Sequence, residues 1–551
     1  MRAAISAGLI AFAAAGCTKV ANQQTAGTRH PWTRPGVLRI AENQDITTLN
    51  PVIGANAVTG DLSSFIYSYA VVYDDHAKPV PDAVTEVPTL ANGDVSKDGL
   101  TLKYKLRHNI KWQDGQPLTC KDLRFTWQVV INPHTNVAAT DGYRDIKDID
   151  CSDPYVAVVH MKRVYAPFLQ QLWGLNGNAP ILPEHLLASY LSGPTSINNA
   201  PYNSMPIGSG PFKVIEWQRG TMVRLAANPD YFRGKPKLNE IDYYFEPDEN
   251  TMETQLQTHN IDMITRGSGL NWPRYQALAA DPKNGFVTVR PDAFQFGHID
   301  FNLKNPILSD VNVRRALAYA TNRQEIIDKV FHGSATSAET DQHPTLSWAY
   351  TNDVQHYPYD PERAKHILDA DGWKVGPDGV RVKNGQRLEL TFSTQTESTA
   401  GRAAQALVQR SWRDVGVEAN VKNYSTAQMF QNGNVGVLEG GHYDVAFYAW
   451  VAAADPDDSA LYSSWNFGPT GQNTLFWKND KVDAAQRAAL ATVDEAKRKP
   501  QYAIIQQQMA LDVPTIVVYF ARPVYIYNSD LKGFTPSPVI SPYWNSWEYS
   551  I

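Results

Sequence analysis

Residues 388–421 run LELTFSTQTESTAGRAAQALVQRSWRDVGVEANV, and three periodicities follow one another within them. Leu388, Leu390 and Phe392 alternate at period two, as a half-buried strand does. Ala404, Leu407, Val408, Trp412 and Val415 recur at helical spacing. Val417, Ala419 and Val421 alternate again. Strand, helix and strand with short links form the unit of a parallel sheet, so the spacing predicts an α/β fold. Downstream, Tyr443 to Trp450 is apolar apart from Asp444, which marks a strand buried on both faces. The loop from Val451 to Asp458 then lies at the carboxyl end of that strand, where open α/β sheets hold their ligands.

Upstream segments extend the pattern. From Val313, the positions Ala316, Leu317, Ala320, Ile327 and Val330 predict one helix that ends at Gly333. Arg314 and Arg315 fall on its polar face, solvated or paired with a carboxylate. Asp360 and Pro361 begin a second helix that Gly372 closes. Between residues 37 and 200, short strands alternate with turns. Leu100 to Leu106 alternates, Asp114-Gly115 is a hairpin-type turn, and Val156, Val158 and His160 mark a further strand. Thr119 is placed to cap a helix in which Leu123, Trp127 and Val130 share a face.

Bulk properties bound the function. At 551 residues the chain exceeds the roughly 250–300 at which one core stops growing, so two or more lobes are expected. With 43% hydrophobic and 19% charged residues it is an ordinary globular composition, and a net charge of −6 argues against nucleic acid as a partner. The 14 Trp, 27 Tyr and 19 Phe serve the core, and they also suit pockets that grip varied guests. Gly-x-Ser-x-Gly, His-Glu-x-x-His and paired Cys or His spacings of zinc sites are absent from the sequence, and no cofactor or metal is expected.

The first residues give the compartment. Met1-Arg2 precedes an apolar run from Ala3 to Ala15, then Gly16-Cys17, after which the chain turns polar. That run is too short to span a bilayer and reads as an export signal. Ala14-Ala15-Gly16-Cys17 resembles the lipobox of bacterial lipoproteins, with Ala14 where that motif carries Leu. The resemblance implies acylation of Cys17, a signal peptide over 1–17, and a tether over 18–36 on a membrane surface. The alternative is an ordinary secretory leader. Cys120 and Cys151 remain as an even pair, which in an exported chain points to a disulfide; two buried free thiols are the alternative.

Several motifs then occur in a fixed order. They are Leu49-Asn50-Pro51, Gly208-Ser209-Gly210-Pro211-Phe212, Trp217, Gly220, Asn228-Pro229-Asp230-Tyr231-Phe232 and Ile261-Asp262. Phe301-Asn302, Val313 to Ala320, Tyr359 to Lys365 and Asp371-Gly372-Trp373 follow. Together they resemble extracytoplasmic solute-binding proteins of family 5, the peptide, oligopeptide and nickel binders that serve ABC importers. The resemblance implies a two-lobed periplasmic-binding-protein fold of type II, cluster C-like, with mixed sheets. One lobe would comprise 37–52, 205–290 and 521–551, with a subdomain of 53–204 inserted. The other would be 291–520. It further implies a non-enzymatic, monomeric protein that encloses a peptide or small solute between its lobes and delivers it to an ABC permease. Exported hydrolases of peptides or glycans and receptor-coupled solute sensors are the rival classes.

Oligopeptide-binding members hold the ligand on the strand like Tyr443–Trp450 and on the loop after it, where main-chain hydrogen bonds ignore side chains. The site residues expected on this basis are Tyr448 and Trp450 as walls and Val451, Ala452 and Ala453 as backbone contacts. Asn43 and Tyr67 are expected near the early lobe-crossing segment. Those members also carry a carboxylate soon after the Trp that grips the ligand's amine. Here that place falls in Val451 to Ala454, so Asp455, or else Asp457 or Asp458, would have to substitute. Without it the guest lacks a free amine there, as blocked peptides, opines, glycosides or metal chelates do. Asp455, Asp457 and Asp458 lack the spacing and late Glu of a calcium loop, and His442 is read as structural.

Overall fold

The computed structural model describes residues 29–551 except 55, 138, 176–178, 192–196, 268–271 and 540. Cys17, the leader and the first part of the tether lie outside the described residues. Two large sheets organise the chain. The first has seven strands in the order Phe286–Val289, Val524–Asn528, Met263–Gly267, Val37–Glu42, Glu240–Phe245, Met222–Ala227 and Phe212–Gln218. The second has six, in the order Ala335–Ser337, Thr515–Ala521, Gln295–Phe301, Val445–Val451, Glu389–Ser393 and Glu418–Val421. The fold is α/β and two-lobed, one lobe around each sheet.

The opening stretch folds as its periodicities require. Glu389–Ser393 pairs in parallel with Glu418–Val421, and Thr399–Arg413 is the crossover helix. Ser398 accepts from Gly401 N–H and starts that helix. Trp412, fully buried, stacks near Phe392 and Phe301 with ring centroids 5.5 and 6.2 Å away, and its indole N–H donates to Thr321 Oγ1 at 3.0 Å. The sheet as a whole is mixed, because Gln295–Phe301 runs antiparallel to both of its neighbours.

Chain direction explains how the lobes join. Phe286–Val289 belongs to the first sheet and Gln295–Phe301 to the second; Thr515–Ala521 belongs to the second and Val524–Asn528 to the first. Two short segments, 290–294 and 522–523, therefore carry the chain between the sheets late in the sequence. They are tied to each other: Arg522 donates to Arg290 O at 2.9 Å and lies 3.3 Å from an Asp292 oxygen.

The region between Val37–Glu42 and Phe212–Gln218 adds a three-stranded sheet, Thr101–Lys105, Val156–Met161 and Ile146–Asp153, covered by the helix Cys120–Ile131. Thr119 caps that helix reciprocally with Asp122. Cys120 on the helix and Cys151 on the strand are joined as a disulfide, with Cα atoms 5.5 Å apart. Along Val156–Met161 the fully buried positions are Ala157, Val159 and Met161, one register from the residues that marked the strand in the sequence. At the centre of the first sheet, Arg39 forms a two-pronged pair with Asp262 at 2.8 and 2.9 Å. Arg39 also donates to His259 O and Asn260 O, so both buried charges are fully hydrogen-bonded.

Two expectations are corrected. The single helix from Val313 is two helices, Val311–Tyr319 and Arg323–Lys329, because Asn322 caps the second by accepting from Glu325 N–H. Arg314 is not on a solvated face. It is 4% exposed and donates to Asp512 O, Val513 O, Leu308 O and Ser309 O. Those first two carbonyls end the helix Glu495–Asp512, where intrahelical donors run out, and the guanidinium supplies them. Burial pushes the Arg314 pKa down to about 10. Arg314→Leu is expected to destabilise the protein by about 2–4 kcal/mol, since buried carbonyls lose a charged donor. Arg315→Ala, which removes one exposed contact to Leu511 O, should cost well under half of that. Urea unfolding of the two variants checks the order.

Candidate ligand-binding site

The strand Val445–Val451 sits in the interior of the second sheet but is paired unequally on its two edges. Along one edge it matches Gln295–Phe301 throughout, from Val445 opposite Phe301 to Val451 opposite Gln295. Along the other, Glu389–Ser393 reaches only Val445 and Ala446. Thr394 Oγ1 then donates to Phe447 O at 2.8 Å, while Ala452 N–H turns the opposite way to Phe294 O at 2.6 Å. Main-chain groups of successive residues face opposite edges. The N–H and C=O of Ala449 and Val451 therefore face an edge with no strand partner among the described residues. Val451 is 57% exposed, so this edge is reachable.

A cavity of about 150 Å³ adjoins the strand, lined by Phe430, Leu438, Glu439, Tyr448, Trp450 and Gln472 among others. Tyr448 is held rigidly. Its hydroxyl donates to Asp300 Oδ2 at 2.5 Å, and the other Asp300 oxygen pairs with His298 Nδ1 at 2.7 Å. Its ring meets Phe430 nearly edge-on, centroids 5.4 Å apart at 80°. Burial first, then the Asp300 charge, pushes the Tyr448 hydroxyl pKa well up, so it remains a donor.

A second cavity of about 300 Å³ lies between the lobes. Tyr73, Phe168 and Gln170 line it from the 53–204 region, and Trp348, Asp455 and Arg498 from the second lobe. Asp455 takes two hydrogen bonds from Arg498, at 2.7 and 2.6 Å, and its own N–H donates across the gap to Gln170 Oε1 at 2.6 Å. Tyr73, Ala77, Phe294, Leu346 and Ala454 form a small apolar cluster at the same junction. The loop from Val451 to Asp455 thus links the aromatic cavity to the interlobe one.

Beyond Asp455, Asp457 Oδ1 accepts from Ser459 N–H, and Asp458 accepts from Gln486 and Gln342. Asp458 also faces Asp341. Burial, then the facing carboxylate, pushes Asp458 well above the carboxylate range, and burial raises Asp341 as well.

A family model described as bacterial extracellular solute-binding proteins, family 5 Middle, matches residues 80–473. The chain belongs to this family. The oligopeptide-binding protein AppA of Bacillus subtilis is 26% identical over 507 residues, covering 91% of this chain and 89% of AppA. The glutathione-binding protein GsiB of Salmonella typhimurium is 27% identical over 505 residues, covering 91% and 92%. Among solved structures, NikZ from Campylobacter jejuni in complex with Ni(L-His) aligns with a TM-score of 0.76 at 25% identity, covering 94% of this chain and 100% of NikZ. These relatives are binding proteins rather than enzymes, and the family is extracytoplasmic.

In this family-5 chain, Tyr448 and Trp450 come together in one cavity, Val451 lies on the open edge, and Ala453 is half-buried and lines neither cavity. Ala452 is turned toward Phe294. Asp455 lines the interlobe cavity, and its carboxylate is paired with Arg498. Asn43 is exposed at the end of its strand and Tyr67 is core, 2% exposed with its hydroxyl on Leu49 O. Neither lines either cavity. His442 pairs with Asn434 O at 2.7 Å. Phe430, Glu439, Tyr73, Gln170, Trp348 and Arg498 were not marked by any sequence pattern, because each reaches the site from a separate loop or helix.

The buried acid pair sets a pH dependence. Raised pKa values in the folded state mean that the folded protein binds more protons than the unfolded one above the ordinary carboxylate pKa of 3.8. The pair's contribution to stability therefore falls as pH rises through that window. Asp458→Asn keeps the acceptor for Gln486 and removes one charge. Its stability relative to wild type should rise as pH increases above about 4, read by urea unfolding at several pH values.

Proposed function

We propose that the chain is the substrate-binding component of an ABC importer and that its guest is a peptide or a similarly extended small solute. The observation that carries this reading is the unpaired edge of Ala449 and Val451. Main-chain groups there can take an added strand of any side-chain composition. From Tyr448 to Asp455 a fully extended chain would cover at most roughly 20–25 Å at about 3.3 Å per residue, room for a short peptide with one end near the aromatic cavity and the other toward the interlobe cavity. AppA and GsiB, whose names carry oligopeptide and glutathione, favour the same class. NikZ with Ni(L-His) keeps metal chelates among the candidates for testing.

The proposed mechanism uses the two crossings, 290–294 and 522–523, as the hinge. Residues 37–52, 205–290 and 521–551, with 53–204 inserted, close against 291–520; the closed form then docks on a permease. The protein acts as a monomer, held at the outer face of a membrane by acylated Cys17. Asp455, tied to Arg498 and Gln170, serves as a closure contact.

A thermal-shift screen of peptides, opines, sugars and metal chelates tests the reading. A true guest raises the melting temperature, by the equivalent of about 2.7 kcal/mol at a hundredfold excess over Kd. It must also be recovered unaltered; turnover would favour a hydrolase instead. Trp450→Ala should weaken capture by roughly tenfold to a hundredfold beyond any loss of stability read from unliganded melting, since Trp450 also packs on two apolar clusters; unchanged affinity would remove the aromatic cavity from the site. Cys17→Ser should release the protein from membranes on fractionation, and continued membrane partitioning rules out the lipid anchor.

A further inference from the structure

The aromatic cavity has a polarity that a general side-chain pocket does not need. Phe430 and Tyr448 meet at nearly a right angle, Trp450 lines the same space, and Glu439 is the carboxylate among them. One Glu439 oxygen accepts the Gly433 N–H at 2.6 Å. The other has no partner among the described residues, and no lysine or arginine lines the cavity. An apolar guest would strip water from that oxygen and leave it unpaired, which is unfavourable. A cation would pair with it and place its charge against the ring faces, where aromatic walls attract positive charge most strongly once water is gone. At about 150 Å³ the space equals roughly five waters, enough for one side chain of similar heavy-atom count.

The rest of the site leaves the task of holding a positive charge unfilled. The loop from Val451 to Ala454 has no acid, and Asp455 is consumed by Arg498. Tyr448 cannot swing away, since its hydroxyl is fixed on Asp300. We propose that the cavity walled by Phe430, Tyr448 and Trp450 is a cation-selecting subsite, in which the Glu439 carboxylate pairs with a guanidinium or ammonium group of the bound solute. This deepens the peptide-binding reading by naming the guest's chemistry: a solute with one basic side chain.

The test uses the mature chain and N-acetylated, C-amidated tripeptides that differ only at the middle residue, Lys, Arg, norleucine or Glu. N-acetyl-arginine amide and tetramethylammonium serve as cation probes without a peptide backbone to pair. Binding is read by calorimetry and thermal shift. Wild type should prefer the Lys and Arg peptides over norleucine by roughly tenfold or more. Glu439→Gln retains the acceptor for Gly433 and should melt like wild type. It should lose that preference through weaker binding of the Lys and Arg peptides, with norleucine affinity equal to or higher than in wild type. Equal affinity of wild type for Lys and norleucine, or a Glu439→Gln variant that still discriminates, overturns the proposal. If the peptides fail to bind while the small cations give a Glu439-dependent shift, the peptide reading falls and the cation subsite stands. If no probe gives a Glu439-dependent signal, the subsite falls. Should Glu439→Gln melt early, Phe430→Leu provides the second variant, and the subsite then requires it to lose cation preference.

Discussion

Only two short segments late in the chain pass between the sheets, and most of the architecture follows from that constraint. Each lobe must close its own core, because so little backbone is shared. The separate apolar clusters show it: one gathers the first sheet and the 53–204 region, and another packs around Trp412, Phe392 and Phe301 in the second lobe. The contacts that do cross include the polar link from Asp455 to Gln170 and the apolar cluster around Tyr73 and Leu346. Relative motion is the default for domains of one chain unless a large apolar interface joins them. The tie from Arg522 to Arg290 and Asp292 couples the two crossings, so a bend at one is felt at the other.

Much of the second lobe was legible in its sequence because its signals are local. The strand-helix-strand unit of 388–421, the capped helix at Asp360-Pro361 and the buried strand before Trp450 all depend on periodicity and caps within one segment. Errors arose where distant parts decide the outcome. Arg314 has a polar side chain on an amphipathic helix, so its spacing gives no hint that the end of Glu495–Asp512 packs over it. The break at Asn322 was hidden because Ala316 to Val330 keeps helical spacing on both sides of it. Mixed strand direction was not readable from local periodicity and came only through the family resemblance, since Gln295–Phe301 finds its antiparallel partners about 150 and 220 residues downstream.

The site was half legible for the same reason. Tyr448, Trp450 and the loop to Asp455 lie on one continuous segment, so a single strand reading found them. The opposing walls come from Tyr73, Gln170, Trp348 and Arg498, which only the folded lobes bring together. Charge was the hardest part to foresee. An Asp beside a ligand loop reads as a free acceptor, yet Asp455 is already paired with Arg498, and Asp458 accepts from two glutamines while facing the like charge of Asp341. Buried charges are retained where partners exist, and those partners lie 43 residues or more away for Asp455.

The alanines at 452, 453 and 454 leave almost bare main chain between the two cavities. Under the proposed function, that floor takes no position on what sits above it. Choice is confined to the walls at its ends, where side chains from a strand, a helix and several loops meet. A lineage could therefore change its nutrient by editing a few wall residues while leaving the folding machinery and the moving parts alone, and relatives that share one scaffold at about a quarter identity need not share a diet.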